Sequence, residues 1–298
     1  MICIFNPEHD LCLANGSKHY MPPASALAFA ASSYGLMHCL YPLADCVPTA
    51  NAGDVYRSTG DGQLVPWGWN AVLKQSLLRQ GLPEHLMPSD GILDRWRQMQ
   101  HRTTLLPLQP DSRAVTSVAE VESFLSQHPD MVLKAPWSGS GRGLRWVSHA
   151  LSDHDRGWLV KVVKEQRCAI AEPRWSVQYD YALEYMVDGN GLSFVGFSLF
   201  ESANGVYRCN RLLSDEAIRQ LVGFPSTLRL TLESWLLNTI VPHYHGPLGV
   251  DCICDVDGHH HISEINLRHT MGLVAHEYLR WHPDAEDSRF FPMDFMNQ

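Results

Sequence analysis

Lysine is scarce in this chain of 298 residues: Lys18, Lys74, Lys134, Lys161 and Lys164 are all it has. Acidic residues outnumber basic ones, 32 to 23, and the formal net charge is −9. That balance argues against the basic face with which a protein neutralises nucleic-acid phosphates. Long hydrophobic runs are missing as well. No stretch approaches the roughly 18 apolar residues of a membrane-spanning helix. The opening Met1-Ile2-Cys3-Ile4-Phe5-Asn6-Pro7-Glu8 has neither the basic stretch nor the apolar core of a signal peptide. The eight cysteines form no Cys-x-x-Cys pair, so they read as free thiols of a reducing, cytoplasmic compartment. Internal repeats, low-complexity tracts and a Ser/His/Asp pattern are also lacking. What is present is apolar bulk: at 45% hydrophobic content the chain can bury one large core or several smaller ones.

An apolar strand at residues 2–5 is followed by a polar break, Asn6-Pro7-Glu8-His9-Asp10, and an Ala-rich helix from Pro23 to Tyr34. Strand, polar loop, helix is how an α/β domain opens, and such folds bind ligands at the carboxyl ends of their strands. Glu8, His9 and Asp10 are therefore candidates for substrate contact. A further helix is expected over Trp67 to Gln80, stopped by Gly81 and Pro83. Ser89 or Asp90 caps another, which runs to about Arg102.

Met131 to Ala135 reads as a strand that carries one of the rare lysines, Lys134. Ser138-Gly139-Ser140-Gly141-Arg142-Gly143 follows, and then a second strand from Arg145 to Ser148. A hairpin tip so rich in Gly and Ser exposes backbone N–H groups that can wrap phosphate oxygens. It is neither a Walker loop nor a dinucleotide fingerprint, because no helix follows it. An antiparallel meander comes next: a strand from Trp175 to Val187, its partner from Leu192 to Glu201, and a third from Val206 to Leu213 bearing Arg208 and Arg211.

Chemistry concentrates near the end. Gly249-Val250-Asp251-Cys252-Ile253-Cys254 reads as a strand, Asp257-Gly258 as a hairpin turn, and Ile262-Ser263-Glu264-Ile265-Asn266-Leu267-Arg268 as the returning strand. Regular alternation puts Ile262, Glu264, Asn266 and Arg268 on one face and Ser263, Ile265 and Leu267 on the other. A face with a carboxylate, an amide and a guanidinium, and with Asp251 alongside, is costly to bury unless a charged ligand fills it. A hard cation with phosphate oxygens does so. His259, His260 and His261 read as turn histidines, and His9 and His269 are the candidates for acid–base work.

In this order the pieces resemble the ATP-grasp superfamily, and in size and motif order the D-alanine–D-alanine ligase type. The motifs extend over residues 89–275. The resemblance implies an N-terminal α/β domain, residues 1–88, followed by two α+β subdomains clasping ATP: a central one, 89–172, with the Gly-rich lid, and a C-terminal one, 173–298, with the metal site. It implies ATP and Mg²⁺ as cofactors, with two ions expected and Mn²⁺ as an alternative. Asp251, Glu264 and Asn266 would hold the metal. Lys134, the loop Ser138 to Gly143, the hinge acid Glu172 near the adenine, and Asp180 at the ribose would bind the nucleotide. Arg268 and Arg208 or Arg211 would act on the transferred phosphate and the acyl group. The usual phosphate-binding lysine before the central subdomain is missing; Arg95 stands nearest its place, with Arg102 second.

The implied activity is carbon–nitrogen bond formation between a small-molecule or peptide carboxylate and an amine through an acylphosphate. Two alternatives stand beside it: a kinase on the same scaffold that phosphorylates a hydroxyl, and a nucleotide-binding protein without catalysis. Neither nucleic acid nor membrane is an expected partner, and a homodimer is a compatible assembly.

Overall fold

A computed structural model of the chain describes residues 1–60, 62–138 and 143–295. The first unit comprises β1 (Ile2–Phe5), α1 (His9–Asn15), α2 (Ala24–Ser33), β2 (Asp45–Pro48), α3 (Ala52–Thr59), β3 (Leu64–Pro66) and α4 (Ala71–Arg79). β1 lies between β2 and β3 in a parallel sheet. Its four residues are all buried, as expected of a parallel strand covered on both sides. Ile2 and Ile4 pack with Leu73 and Leu77 of α4. Cys3 and Phe5 point the other way, into a cluster with Trp67, Val274 and Phe290. The end of the chain thus covers one face of the sheet that begins it.

The second unit runs from α5 (Asp90–Met99) through β4 (Arg113–Val115), α6 (Val118–Leu125), β5 (Asp130–Lys134), β6 (Leu144–Ser148) and α7 (Asp153–Gln166) to β7 (Ala169–Pro173). Its strands form an antiparallel sheet in the order β4-β7-β5-β6. Met131, Leu133, Ala169 and Ala171 face α6 and α7 in one core. The two-residue period therefore turns Lys134 and Glu172 to the opposite face.

The third unit holds β8 (Val177–Asp188), β9 (Gly191–Ala203), β10 (Val206–Arg211), α8 (Asp215–Leu221), α9 (Ser226–Thr239), β11 (Gly246–Asp255), β12 (His260–Asn266), α10 (Met271–Trp281) and the short β13 (Arg289–Phe290). The sheet order is β12-β11-β8-β9-β10-β13. Tyr181, Leu183, Tyr185 and Val250 pack with Ile218, Leu232 and Leu236 of α8 and α9. The other face of the same strands carries Asp180 and Asp251 toward the second unit and Glu184 toward the first.

Three local expectations change. The polar break after β1 is shorter than residues 6–10, because α1 already begins at His9 with Glu8 as its N-cap. The helix expected from Trp67 starts at Ala71. Asn70 caps it by accepting a hydrogen bond from Leu73 N, while Trp67 is 3% exposed and its N–H donates to Ile4 O at 2.7 Å. The helix expected to reach Arg102 ends at Met99, and a 3₁₀ turn, Arg102–Leu108, follows.

Candidate active site

The hairpin of β11 and β12 folds as its turn chemistry requires. Gly258 takes φ +80°, a left-handed conformation that glycine adopts without strain. Asp251 pairs with Glu264 on β12 and with Ala182 on β8. Alternation is not regular along β12. The register shifts between Asp251 and Cys252, so that Cys252 pairs with Ile262 and Ser263 is the extra residue of a bulge. Ile262 therefore joins the core with Ile265 and Leu267. Ser263, expected on the core side, lines the cleft beside Glu264 and Asn266.

The cleft between the second and third units has a volume of about 810 Å³. Lys134 and Glu172, 7% and 4% exposed, form an ion pair at 2.6 Å on one wall. The Lys134 ammonium also donates to Ser263 Oγ on the other wall, at 3.2 Å. Arg102 ion-pairs with Glu264 at 2.8 Å and donates to Ser138 Oγ at 2.8 Å and to the carbonyl of Ala135. Asn266 Nδ2 donates to Asp251 Oδ2 at 3.1 Å. Burial, and then repulsion from Glu264 and Glu184, pushes the Asp251 carboxyl up to about 8. Burial also raises Asp180, which accepts a hydrogen bond from the Ser202 hydroxyl. Arg268 makes a forked pair with Asp10, at 2.9 and 2.8 Å, which ties α1 to the end of β12.

Lys134, Ser138, Asp180, Arg211, Asp251, Glu264, Asn266 and Arg268 thus come together around one cleft, and Asp10 reaches its edge. Gly143 is buried against Ser138: a Cβ on it would lie 2.2 Å from that side chain. Its carbonyl accepts from Ala135 N at 2.8 Å, which closes the base of the loop. Gly139, Ser140, Gly141 and Arg142 lie outside the described residues. Glu172 is not free at the hinge, because it faces Lys134 from within β7.

Four candidates fall elsewhere. The guanidinium of Arg95 donates to His243 Nδ1 at 3.2 Å, away from the cleft, whereas Arg102 lines the cleft and pairs with Glu264. Arg208 is the unpaired residue of a bulge, because pairing passes from Tyr207 directly to Cys209, and it is exposed. His9 is fully buried with its ring against Gly68, and Nδ1 accepts from Asn70 Nδ2 at 3.1 Å. Burial lowers it to about 4, so it is neutral and holds the first unit together. His269 is equally buried, and Tyr41 and the carbonyls of Pro66 and Trp67 bracket its ring.

Beside the cleft lies a chamber of about 430 Å³ that shares Asp10, Asp251, Asn266 and Arg268 with it. Glu8 lines it, and its Oε2 is buried without a hydrogen-bond partner among the described residues. Burial pushes this carboxyl up to about 7. Glu184 is a site residue that sequence reasoning missed. It is 1% exposed and accepts from the hydroxyls of Ser198 and Thr270 at 3.0 and 2.8 Å. Burial raises it to about 7. The available signal was a carboxylate on the same strand face as Asp180, two turns of the pleat along β8.

Comparison with solved structures gives the architecture its name. N5-carboxyaminoimidazole synthetase from Staphylococcus aureus, complexed with ADP, matches 90% of this chain over 70% of its own, with a TM-score of 0.53 at 12% identity. Biotin carboxylase from Campylobacter jejuni, complexed with β,γ-ATP, matches 93% of this chain over 67% of its own, with a TM-score of 0.56 at 12% identity. The chain has the ATP-grasp fold. A third ATP-grasp structure, the biotin carboxylase domain of the Hydrogenobacter thermophilus 2-oxoglutarate carboxylase with MgADP, ADP and bicarbonate, matches 93% over 68%, with a TM-score of 0.54 at 12% identity. No protein-family model matches the sequence, and neither does any curated protein sequence.

Proposed function

We propose that the chain is an ATP- and Mg²⁺-dependent ligase that joins a carboxylate to an amine through an acylphosphate. One observation carries this reading: Asp251, Glu264 and Asn266 meet in a cleft whose cationic lining residues are Arg102, Lys134, Arg174, Arg211 and Arg268. The donor set fits Mg²⁺. Two carboxylates on directly opposed residues, Asp251 and Glu264, repel each other, and burial keeps one of them protonated until a cation compensates. Oxygen donors of this kind suit a hard divalent ion that also takes phosphate oxygens. Bound there, the metal would offset charge on the transferred phosphate. That the similar solved structures hold ADP, ATP or MgADP supports the same choice of nucleotide.

The chain's own residues then have separate tasks. Lys134 donates to the nucleotide from one wall, and the ion pair with Glu172 fixes its ammonium in place. Arg102 neutralises phosphate once Glu264 turns to the metal. Arg211 makes no ion pair or side-chain hydrogen bond among the described residues, so it is available to the transferred group. Arg268 holds the substrate carboxylate and steadies the oxyanion that forms as the amine attacks. Phosphoryl transfer consists largely of such positioning and neutralisation.

The test is a screen of carboxylates and amines with Mg·ATP, scored for ADP and free phosphate together. Glu264→Gln is expected to abolish release with the fold intact. A phosphorylated product without free phosphate makes the protein a kinase, and unchanged turnover in Glu264→Gln removes the metal assignment.

A further inference from the structure

The cleft accounts for nucleotide, metal and carboxylate, but not for the chamber beside it. Its walls are largely apolar: Phe29, Trp67, Phe200 and Met271, with Pro7 and Pro23. At about 430 Å³ it is within the size range of small-molecule sites. Its charged groups are of nearly one sign. Glu8, Asp10, Glu184 and Asp251 line it, and Arg268 is the single cation among the described lining residues. That cation is already held in a forked pair by Asp10. With Arg268 claimed by Asp10 and, on the cleft side, by the substrate carboxylate, a further anion would find no free positive partner in the chamber, and would meet carboxylates.

The two carboxylates not otherwise employed differ. Glu184 is closed: Ser198 donates to one oxygen and Thr270 to the other, and Gly249 and Gly272 pack so tightly on it that a Cβ at either would clash. Glu8 is open in the chemical sense. Its Oε2 lacks a donor, and a buried acceptor without one is costly. A ligand that brings an N–H donor and a positive charge satisfies this oxygen and compensates the charge of the carboxylate despite its burial.

We infer that this chamber seats an amine carried on a sizeable apolar skeleton, with Glu8 as the residue that selects it. The amine's role as acceptor rests on the ligase reading; its binding does not. An apolar body against Phe29, Trp67 and Phe200 with its nitrogen at Glu8 lies next to Arg268, the side of the chamber that opens on the cleft. Simple carboxylates, phosphates and sugars fit these walls poorly.

Isothermal titration of the full chain without nucleotide tests the inference, with three ligands of one shape: 2-phenylethylammonium, 2-phenylethanol and 3-phenylpropanoate. The cation is expected to bind at least about tenfold more tightly than either analogue, the size of one charged hydrogen bond. Glu8→Gln should lose that preference while still melting cooperatively. Ala26→Trp, which fills the chamber from α2, should lose all three ligands. Equal or tighter binding of the alcohol or the carboxylate overturns the inference, as does a preference that survives Glu8→Gln. Phosphate release from Mg·ATP, measured in parallel, reports the ligase reading separately. Amine binding without phosphate release removes the ligase and leaves the amine site; phosphate release without amine preference removes the amine site alone.

Discussion

Arg102 and Glu264 are joined at 2.8 Å across the cleft, one from the turn after α5 and the other from β12. Each is a group that a metal–nucleotide complex claims for itself, so the pair keeps two charges compensated until that complex arrives. Loss of the guanidinium removes a charged hydrogen-bond partner of phosphate, worth about 1.5–3 kcal/mol. Arg102→Ala is therefore expected to weaken Mg·ADP binding by roughly one to two orders of magnitude, read by calorimetric titration. Arg95→Ala, whose side chain meets His243 instead, should bind the nucleotide as the parent does. Equal effects of the two would remove Arg102 from the phosphate role.

Lys134 and Glu172 form the most buried ion pair of the cleft. Breaking such a pair strands the remaining charge and costs about 3–5 kcal/mol, whereas removing both charges is far milder. Lys134→Met should lower stability by that order in urea, and adding Glu172→Gln should restore most of it. Nucleotide affinity should stay weak in both variants, because the lysine is gone from each. A double variant as unstable as the single one would mean that Lys134 contributes through packing.

Glu8 gives a pH signature. Its carboxyl is raised from 4.5 to about 7, so between those values the folded chain holds a proton that the unfolded chain has released. Stability then falls as pH rises through this window, by an amount on the order of 3 kcal/mol for the group. Glu8→Gln cannot ionise and should gain stability over the parent at pH 8, but not at pH 4. Urea melts at both values measure it. Glu184, raised in the same direction, should leave part of the slope in place.

Two glycines in helices separate packing from propensity. At Gly272 in α10 a Cβ would lie 2.2 Å from both Glu184 Oε1 and Ser198 Oγ, so Gly272→Ala should cost about 1–3 kcal/mol. Gly157 in α7 has nothing within 4 Å of that position, and Gly157→Ala should stabilise by about 0.5–1 kcal/mol. Chemical denaturation of the two variants side by side checks the contrast.

Much of this architecture was legible in the chain. Lys134 in an apolar strand, the glycines after it, and Asp251 with Glu264 and Asn266 announced a nucleotide fold because their types and order are set by chemistry. What escaped depends on direction. By sequence Arg95 stands nearer the missing lysine's place than Arg102, and only the 3₁₀ turn after Met99 brings Arg102 rather than Arg95 to the cleft. His9 sits between Glu8, which lines the chamber, and Asp10, which reaches the cleft, yet the helix starting at that residue rotates it into the interior. Glu184 looked like one more strand residue because Ser198 and Thr270, which satisfy it, come from β9 and from the cap of α10.

The extra residue at Ser263 has one further consequence. In a regular strand, a change of length by one residue turns every side chain beyond it over. Here Ile262 and Glu264 already face opposite sides on the two flanks of the insertion. The strand is therefore one residue longer than its pattern needs. It could do without Ser263 and still present Glu264 and Asn266 to the cleft and Ile262 and Ile265 to the core. The hydrogen bond by which Lys134 reaches across to β12 would go with it. The bulge thus lets the chain carry Ser263 as an extra cleft-facing donor without disturbing the alternation that sets the charged face.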